Sequence, residues 1–176
     1  MSQVIIAGDT SGTITLQAPA VSGSTTITLP AATGTMMVSG NMPAFSAYQS
    51  SAQTLSSGTF TKIQFQTKEF DTASAFDNTT NYRFTPQVAG YYQVTGGIAI
   101  GSSACYQLVT FYKNNSEFKR VQYTNSSAVN NCSGTTLIYL NGSTDYIELY
   151  ALIQTGQALN ASASTTYFQA ILVRTA

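Results

Sequence analysis

Few side chains in this sequence suit covalent or acid–base chemistry. Histidine is absent from all 176 residues. That removes Ser-His-Asp and Cys-His catalysis and every His-ligated metal site. What remains is two carboxylate pairs, Glu69 with Asp71 and Asp145 with Glu148, and two cysteines, Cys105 and Cys132. Glycoside hydrolysis needs carboxylates facing each other across a cleft. Both pairs instead lie close together in sequence on short strand-like stretches, with no other catalytic group beside them. Ser and Thr are abundant, but no Gly-x-Ser-x-Gly elbow and no base accompany them. Gly96-Gly97-Ile98-Ala99-Ile100-Gly101 lacks the strand-to-helix setting of a phosphate loop and reads as a strand whose small residues allow close packing. No acidic run has the spacing of a calcium loop. The chain is expected to be no enzyme and to carry neither metal nor cofactor.

Charge narrows the partners further. Seven basic and seven acidic residues make up 8% of the chain and cancel, which gives no electrostatic hold on nucleic acid or an anionic membrane. No apolar run approaches the roughly 18 residues of a membrane span. The charged clusters, Lys68, Glu69, Asp71 and Asp77, then Lys113, Glu117, Lys119 and Arg120, read as edge charges that discourage sheet-to-sheet aggregation. No basic region followed by an apolar core opens the sequence, so no export signal is expected. Cys105 and Cys132 are then expected to be reduced and buried rather than bonded.

Such residues must be positioned by strands. Ser, Thr, Asn and Gln account for 69 of 176 residues, and Tyr is plentiful while Lys and Glu are scarce. Thr and Tyr suit pleated, half-exposed strands. From Ala44 onward the alternation predicts strands at 45–48, 60–65, 82–84, 90–100, 106–113, 118–123, 135–140, 146–153 and 166–173, with turn clusters such as Lys113-Asn114-Asn115-Ser116 and Asn141-Gly142-Ser143 between them. Even spacing without helical periodicity predicts an all-β sandwich, jelly roll or barrel.

The first 43 residues differ. They hold one charge, Asp9, and a short repeat: Gly12-Thr13-Ile14-Thr15-Leu16 returns as Thr25-Thr26-Ile27-Thr28-Leu29. Each copy has the alternation of a strand with one buried face. So short a piece cannot build its own core. Val4, Ile6, Ile14, Leu16, Ile27 and Leu29 must bury against the rest of the chain, sister chains or a docking surface. The chain is therefore divided into an attachment arm, 1–43, and a head, 44–176.

The run Tyr82-Arg83-Phe84-Thr85-Pro86-Gln87-Val88-Ala89-Gly90-Tyr91-Tyr92 resembles the signature of the complement globular-head family. Three further pieces follow in the family's order: Val109–Asn115 as the apolar strand ending in Lys-Asn-Gly, Thr136–Leu149 as strand, Gly-Asp turn and strand, and Phe168–Val173 as the closing strand. Phe45-Ser46-Ala47 matches the usual opening, so the resemblance covers residues 44–176. Two departures lie in turns: Asn115 stands where Gly is usual, and the Gly-Asp turn is expanded to Gly142-Ser143-Thr144-Asp145. The resemblance implies the ten-stranded antiparallel jelly roll shared with tumour necrosis factor, and a homotrimer. The arm, 12–21 and 26–35, resembles a segment common in tailed-phage virion proteins, often in fibres.

One strand gives a physical reason for self-assembly. Along 145–153, Ile147, Leu149, Ala151 and Ile153 face the core, yet Tyr146, Glu148, Tyr150 and Leu152 on the other side are largely apolar too. Exposed on a lone copy, that face would be a sticky patch. These four residues are the expected trimer interface, with Glu148 near the axis, or else a loop covers them. The expected function is a non-enzymatic structural protein on the surface of a phage virion, made in the host cytoplasm. It would be a trimeric capsid decoration, cement or head-fibre protein whose arm holds the major capsid protein or a tail or fibre protein. The alternatives are a tail-fibre tip binding a host-surface glycan or protein, with Tyr48, Tyr123 and Tyr167 the aromatics least clearly assigned to core, and a secreted soluble trimeric ligand.

Overall fold

The computed structural model describes residues 3–17, 19–21, 23–24, 26–28, 31, 33–34, 36–101, 106–125 and 131–176. The chain divides into two compact units, 1–34 and 35–176. The division falls earlier than the expected boundary at 43/44. Met37 packs against the head's core, the Asn41 side chain ties 36–41 into a turn through Met36 O and Val38 N, and Pro43 O accepts Leu172 N–H. These residues belong to the head.

The first unit contains a hairpin of β1 (Gln3–Ala7) and β2 (Thr13–Gln17). Gly12, at φ +81°, turns the chain, and Gly8 N–H donates to Gly12 O at 2.9 Å. The first copy of the Thr/apolar repeat is thus a strand. In the second copy the described residues Thr26, Ile27 and Thr28 form no strand, and Ile27 is almost fully exposed. Leu29 lies outside the described residues.

The head is a two-layer antiparallel sandwich. Its strands are β3 (Ala44–Tyr48), β4 (Thr54–Leu55), β5 (Thr61–Lys62), β6 (Thr67–Asp71), β7 (Phe76–Asp77), β8 (Arg83–Phe84), β9 (Gly90–Ala99), β10 (Gln107–Lys113), β11 (Ser116–Thr124), β12 (Asn131–Leu140), β13 (Ile147–Ile153), β14 (Gln157–Ala158) and β15 (Tyr167–Thr175). One sheet has the order β12-β9-β15-β3-β6, the other β11-β10-β13-β8-β7 with β5 also on β13. A third pairing, β14 with β4, closes one end. Strand β6 comes from the charged stretch at 68–71, which had been assigned only to an edge. A bulge opposite Ser46/Ala47 lets it pair with β3. Between the sheets Phe45 stacks on Phe76 and Phe84 at 4.5 and 4.6 Å and meets Phe168 edge-on at 5.1 Å. Phe168 also packs against Phe65, Phe76 and Phe111.

The signature residues have structural roles. Phe84 and Tyr92 are fully buried and meet edge-on at 5.5 Å. The Tyr92 hydroxyl donates to Val88 O at 2.7 Å, and burial pushes its pKa up to about 12. Gly90 leaves no room for a side chain, because a Cβ there would sit 2.4 Å from Arg174 O. The Asn115 departure is explained by the β10–β11 hairpin. Asn114 and Asn115 have φ of +52° and +65°, the backbone of a two-residue type I′ turn, which Asn tolerates nearly as well as Gly. The expanded turn needs Gly142 at φ +71°, where a Cβ would fall 2.3 Å from Ala89 N. Gly96 likewise admits the Leu149 side chain closely, as the small-residue reading expected.

Replacing Phe168 with Ala should cost roughly 3–5 kcal/mol, since it empties the centre of the aromatic cluster. A urea midpoint shift at constant m-value measures it.

Candidate functional site

Each candidate catalytic carboxylate is engaged in a hydrogen bond or an ion pair. Glu69 Oε2 accepts from Ser46 Oγ at 2.7 Å. Asp71 accepts from the Ala75 and Phe76 N–H groups and from Lys68 Nζ. Asp145 accepts from Asn141 N–H and Asn114 Nδ2 and pairs with Lys113 Nζ at 2.8 Å. Burial alone would raise the Asp145 pKa, but these donors outweigh it and hold the carboxyl below its usual value. Asp77 is held well below the ordinary carboxylate range by the N–H groups of Thr80 and Thr79, with Asn81 adding to them. Among the described residues no group of three metal-ligating side chains converges. Cys132 is buried and unbonded, and burial pushes its thiol pKa up to about 11; Cys105 lies outside the described residues. The described residues include no helix long and apolar enough to cross a membrane.

What the structure does offer is exposed apolar sheet surface, in three places. The first is the outer face of the five-stranded sheet. Register aligns Leu137, Gln93, Ile171 and Ala44 in one row and Thr135, Thr95, Gln169 and Ser46 in the next. Tyr139 and Tyr91 continue the face, with ring centroids 5.5 Å apart. Phe70, Tyr91, Leu137, Tyr139, Ile171 and Val173 are each 42–61% exposed. The rows themselves carry no charge, but charges border them: Glu69 accepts from Ser46 at one end, and Lys113 and Arg174 each lie 5.7 Å over the Tyr139 and Tyr91 rings. Between Phe70, Gln93, Gln169 and Ile171, the small Ala44 leaves a groove of about 190 Å³. That is below the roughly 300 Å³ of ordinary ligand pockets.

The second place is the outer face of the six-stranded sheet, which carries the expected interface Tyr146, Glu148, Tyr150 and Leu152. One copy already covers much of this face. Glu148 is buried and pairs with Lys62 Nζ at 2.6 Å. Tyr150 stacks on Tyr112 at 4.0 Å, and Arg83 lies 4.2 Å over the Tyr146 ring. The intramolecular partner for Glu148 removes the expected repulsion between three axial copies. Its Oε2 has no protein partner, a position suited to one bound water.

The third is the hairpin of the first unit. The register Val4↔Leu16 and Ile6↔Ile14 puts four of the six expected docking residues on one face. Each is about half exposed or more.

The alternation of 146–153 was visible because apolar residues fill both sides of it. The five-stranded face was missed because Gln93, Thr95, Thr135 and Gln169 dilute its apolar residues. The signal was present in Tyr91-Tyr92, Leu137–Leu140 and Ile171–Val173, each apolar on both sides.

No family model and no curated protein matches the chain. Solved structures do. Murine APRIL aligns over 75% of this chain and 99% of its own, with 12% identity and a TM-score of 0.57. The globular domain of zebrafish complement 1qA covers 76% and 98%, at 16% identity and a TM-score of 0.57. Eiger TNF from S. frugiperda covers 77% and 93%, at 13% and 0.57. The fold is therefore the jelly roll of tumour necrosis factor and complement heads, as the sequence led us to expect.

Replacing Lys62 with Met should destabilise the head by roughly 1–3 kcal/mol, because Glu148 is left buried without a counter-charge. The double change Lys62→Met, Glu148→Leu should recover most of that loss in the same denaturant titration. Asp77 and Asp145 have depressed folded-state pKa values, so their contribution is complete above the unfolded carboxylate pKa of about 3.9. It should be lost as pH falls through that range toward the lower folded values. Thermal scans between neutral pH and pH 2 should show a shallower decline for Asp77→Asn, Asp145→Asn than for the parent.

Proposed function

We propose that this chain is a non-enzymatic structural protein that works as a homotrimer on the surface of a phage virion. Its heads associate through the outer face of the five-stranded sheet, and its hairpin arm fastens the trimer to a capsid or tail protein. The observation that carries this reading is the half-exposed outer face of β12, β9 and β15, whose two central rows hold no ionisable side chain. Removing it from water is favourable at about 25 cal/mol per Å², and no ionised group within the rows must be desolvated. Tyr91 and Tyr139 suit such a contact, since each offers an apolar ring with a polar tip. The count of three copies is what the resemblance to complement globular heads implies. The face in use is revised from the Tyr146–Leu152 side, because one copy already buries Glu148 and half-buries its neighbours there.

The arm supports attachment for a related reason. A two-stranded hairpin is at best marginal alone in water, and Val4, Ile6, Ile14 and Leu16 give it an apolar face that calls for a cover. A two-stranded hairpin also suits β-augmentation onto a shell protein. The resemblance of 12–21 and 26–35 to tailed-phage segments supports the virion setting.

Light scattering on the purified full chain should give three times the chain mass. Ile171→Asp combined with Leu137→Asp should reduce it to one, with the fold retained because both positions are half exposed. A parent protein of single-chain mass would refute the assembly. Deleting residues 1–34 should leave the trimer intact but abolish its recovery with particles in a sedimentation assay.

A further inference from the structure

The outer face of the six-stranded sheet also contains a dish unrelated to self-assembly. Tyr106 and Tyr123 meet edge-to-face at 4.8 Å. Leu108, paired with Tyr123 on one side and Leu152 on the other, forms the floor and is itself buried. Arg120 and Gln122 complete the rim. The cavity is about 430 Å³, within the 300–1,000 Å³ of small-molecule sites and more than twice the groove on the opposite sheet.

We propose that this dish binds a neutral pyranose ring of a surface glycan. Three features select that chemistry. Tyr123 is 55% exposed although its strand neighbour Leu108 is buried, so an aromatic surface stands open above an apolar floor, as stacking against the C–H face of a sugar requires. The rim is polar but neutral overall, because the Arg120 guanidinium is paired in a fork with Glu117 at 2.5 and 3.1 Å. An anionic ligand would have to compete with that carboxylate, whereas a hydroxyl needs only one remaining donor. Gln122 also lines the dish; its Nε2 donates to Thr124 Oγ1 at 3.4 Å, and its amide oxygen offers an acceptor to a hydroxyl. The bulge between Val109 and Thr110 positions these residues: it shifts the register so that Arg120 pairs with Thr110 and Tyr123 with Leu108.

Binding here is read per chain and does not depend on copy number, so the site stands or falls separately from the trimer. The test is saturation-transfer NMR on the full chain with the methyl glycosides of glucose, galactose, mannose, N-acetylglucosamine and rhamnose. At least one should show transfer concentrated on its C–H protons, with affinity on the order of millimolar. Tyr123→Ala should weaken it at least about tenfold, and Arg120→Gln measurably, both with unchanged thermal transitions. Tyr139→Ala, on the opposite sheet, should leave it unchanged. Light scattering on the same samples reports the oligomer independently. No transfer from any of the five sugars would overturn the proposal, as would transfer that survives Tyr123→Ala. So would loss of protein capture in Tyr123→Ala without any sugar binding, since the dish would then serve a protein partner.

Discussion

The head depends on one constraint: several of its long strands carry apolar residues on both sides, and a single sandwich can bury only one. On β15, Phe168, Ala170 and Leu172 enter the core while Ile171 and Val173 remain outside. On β9, Tyr92 and Val94 enter while Tyr91 stays out. The inner set is held by the Phe45–Phe168 cluster, where stacked and edge-on rings fill the space between sheets. Such rings bury large areas and prefer these offset geometries. Among the described residues the outer set stays open: Tyr91, Leu137, Tyr139, Ile171 and Val173 are 42–61% exposed.

The turns show how a chain so poor in charge fixes its loops. Asp77 closes the turn before β8 by accepting from Thr79, Thr80 and Asn81. Asn141 plays the same part four residues before Asp145, its Oδ1 accepting from the N–H groups of Ser143, Thr144 and Asp145. Asp145 then links that turn to Lys113 and Asn114 of the β10–β11 hairpin. Side chains that hydrogen-bond nearby backbone are the usual makers of such turns. Asp71, Asp77 and Asp145, three of the seven acidic residues, accept from backbone N–H groups in this way.

Much of this was legible in the sequence. Alternation located most strands, because burial of one face imposes a period of two on residues such as Tyr92, Val94, Ile138 and Leu140. It also located the hairpin quartet of Val4, Ile6, Ile14 and Leu16, whose common face follows from register alone. Three things were not legible. The Lys62–Glu148 pair joins residues 86 positions apart, and no local pattern encodes it. Strand β6 depends on a bulge, which breaks the alternation that would reveal it. The second Thr/apolar copy has the same pattern as β2, yet its described residues form no strand, which shows that periodicity states what a segment can do rather than what it does.

Charge separates the two outer faces more clearly than hydrophobicity does. Both carry aromatic rings, so apolar content alone would suit either to association. The six-stranded face holds Lys62, Glu148, Glu117 and Arg120 as pairs within one chain. Covering it with a second protein would strip water from partly exposed ions that already have partners, and a buried ion pair at best roughly balances its desolvation. Water-facing service, or a small neutral ligand, leaves those pairs intact. The five-stranded face has only amides, hydroxyls and hydrocarbon in its central rows, for which desolvation is cheap once Thr95 and Thr135 have bonded each other at 2.8 Å. The distribution of a few charges, rather than the extent of either apolar patch, thus distinguishes the two faces.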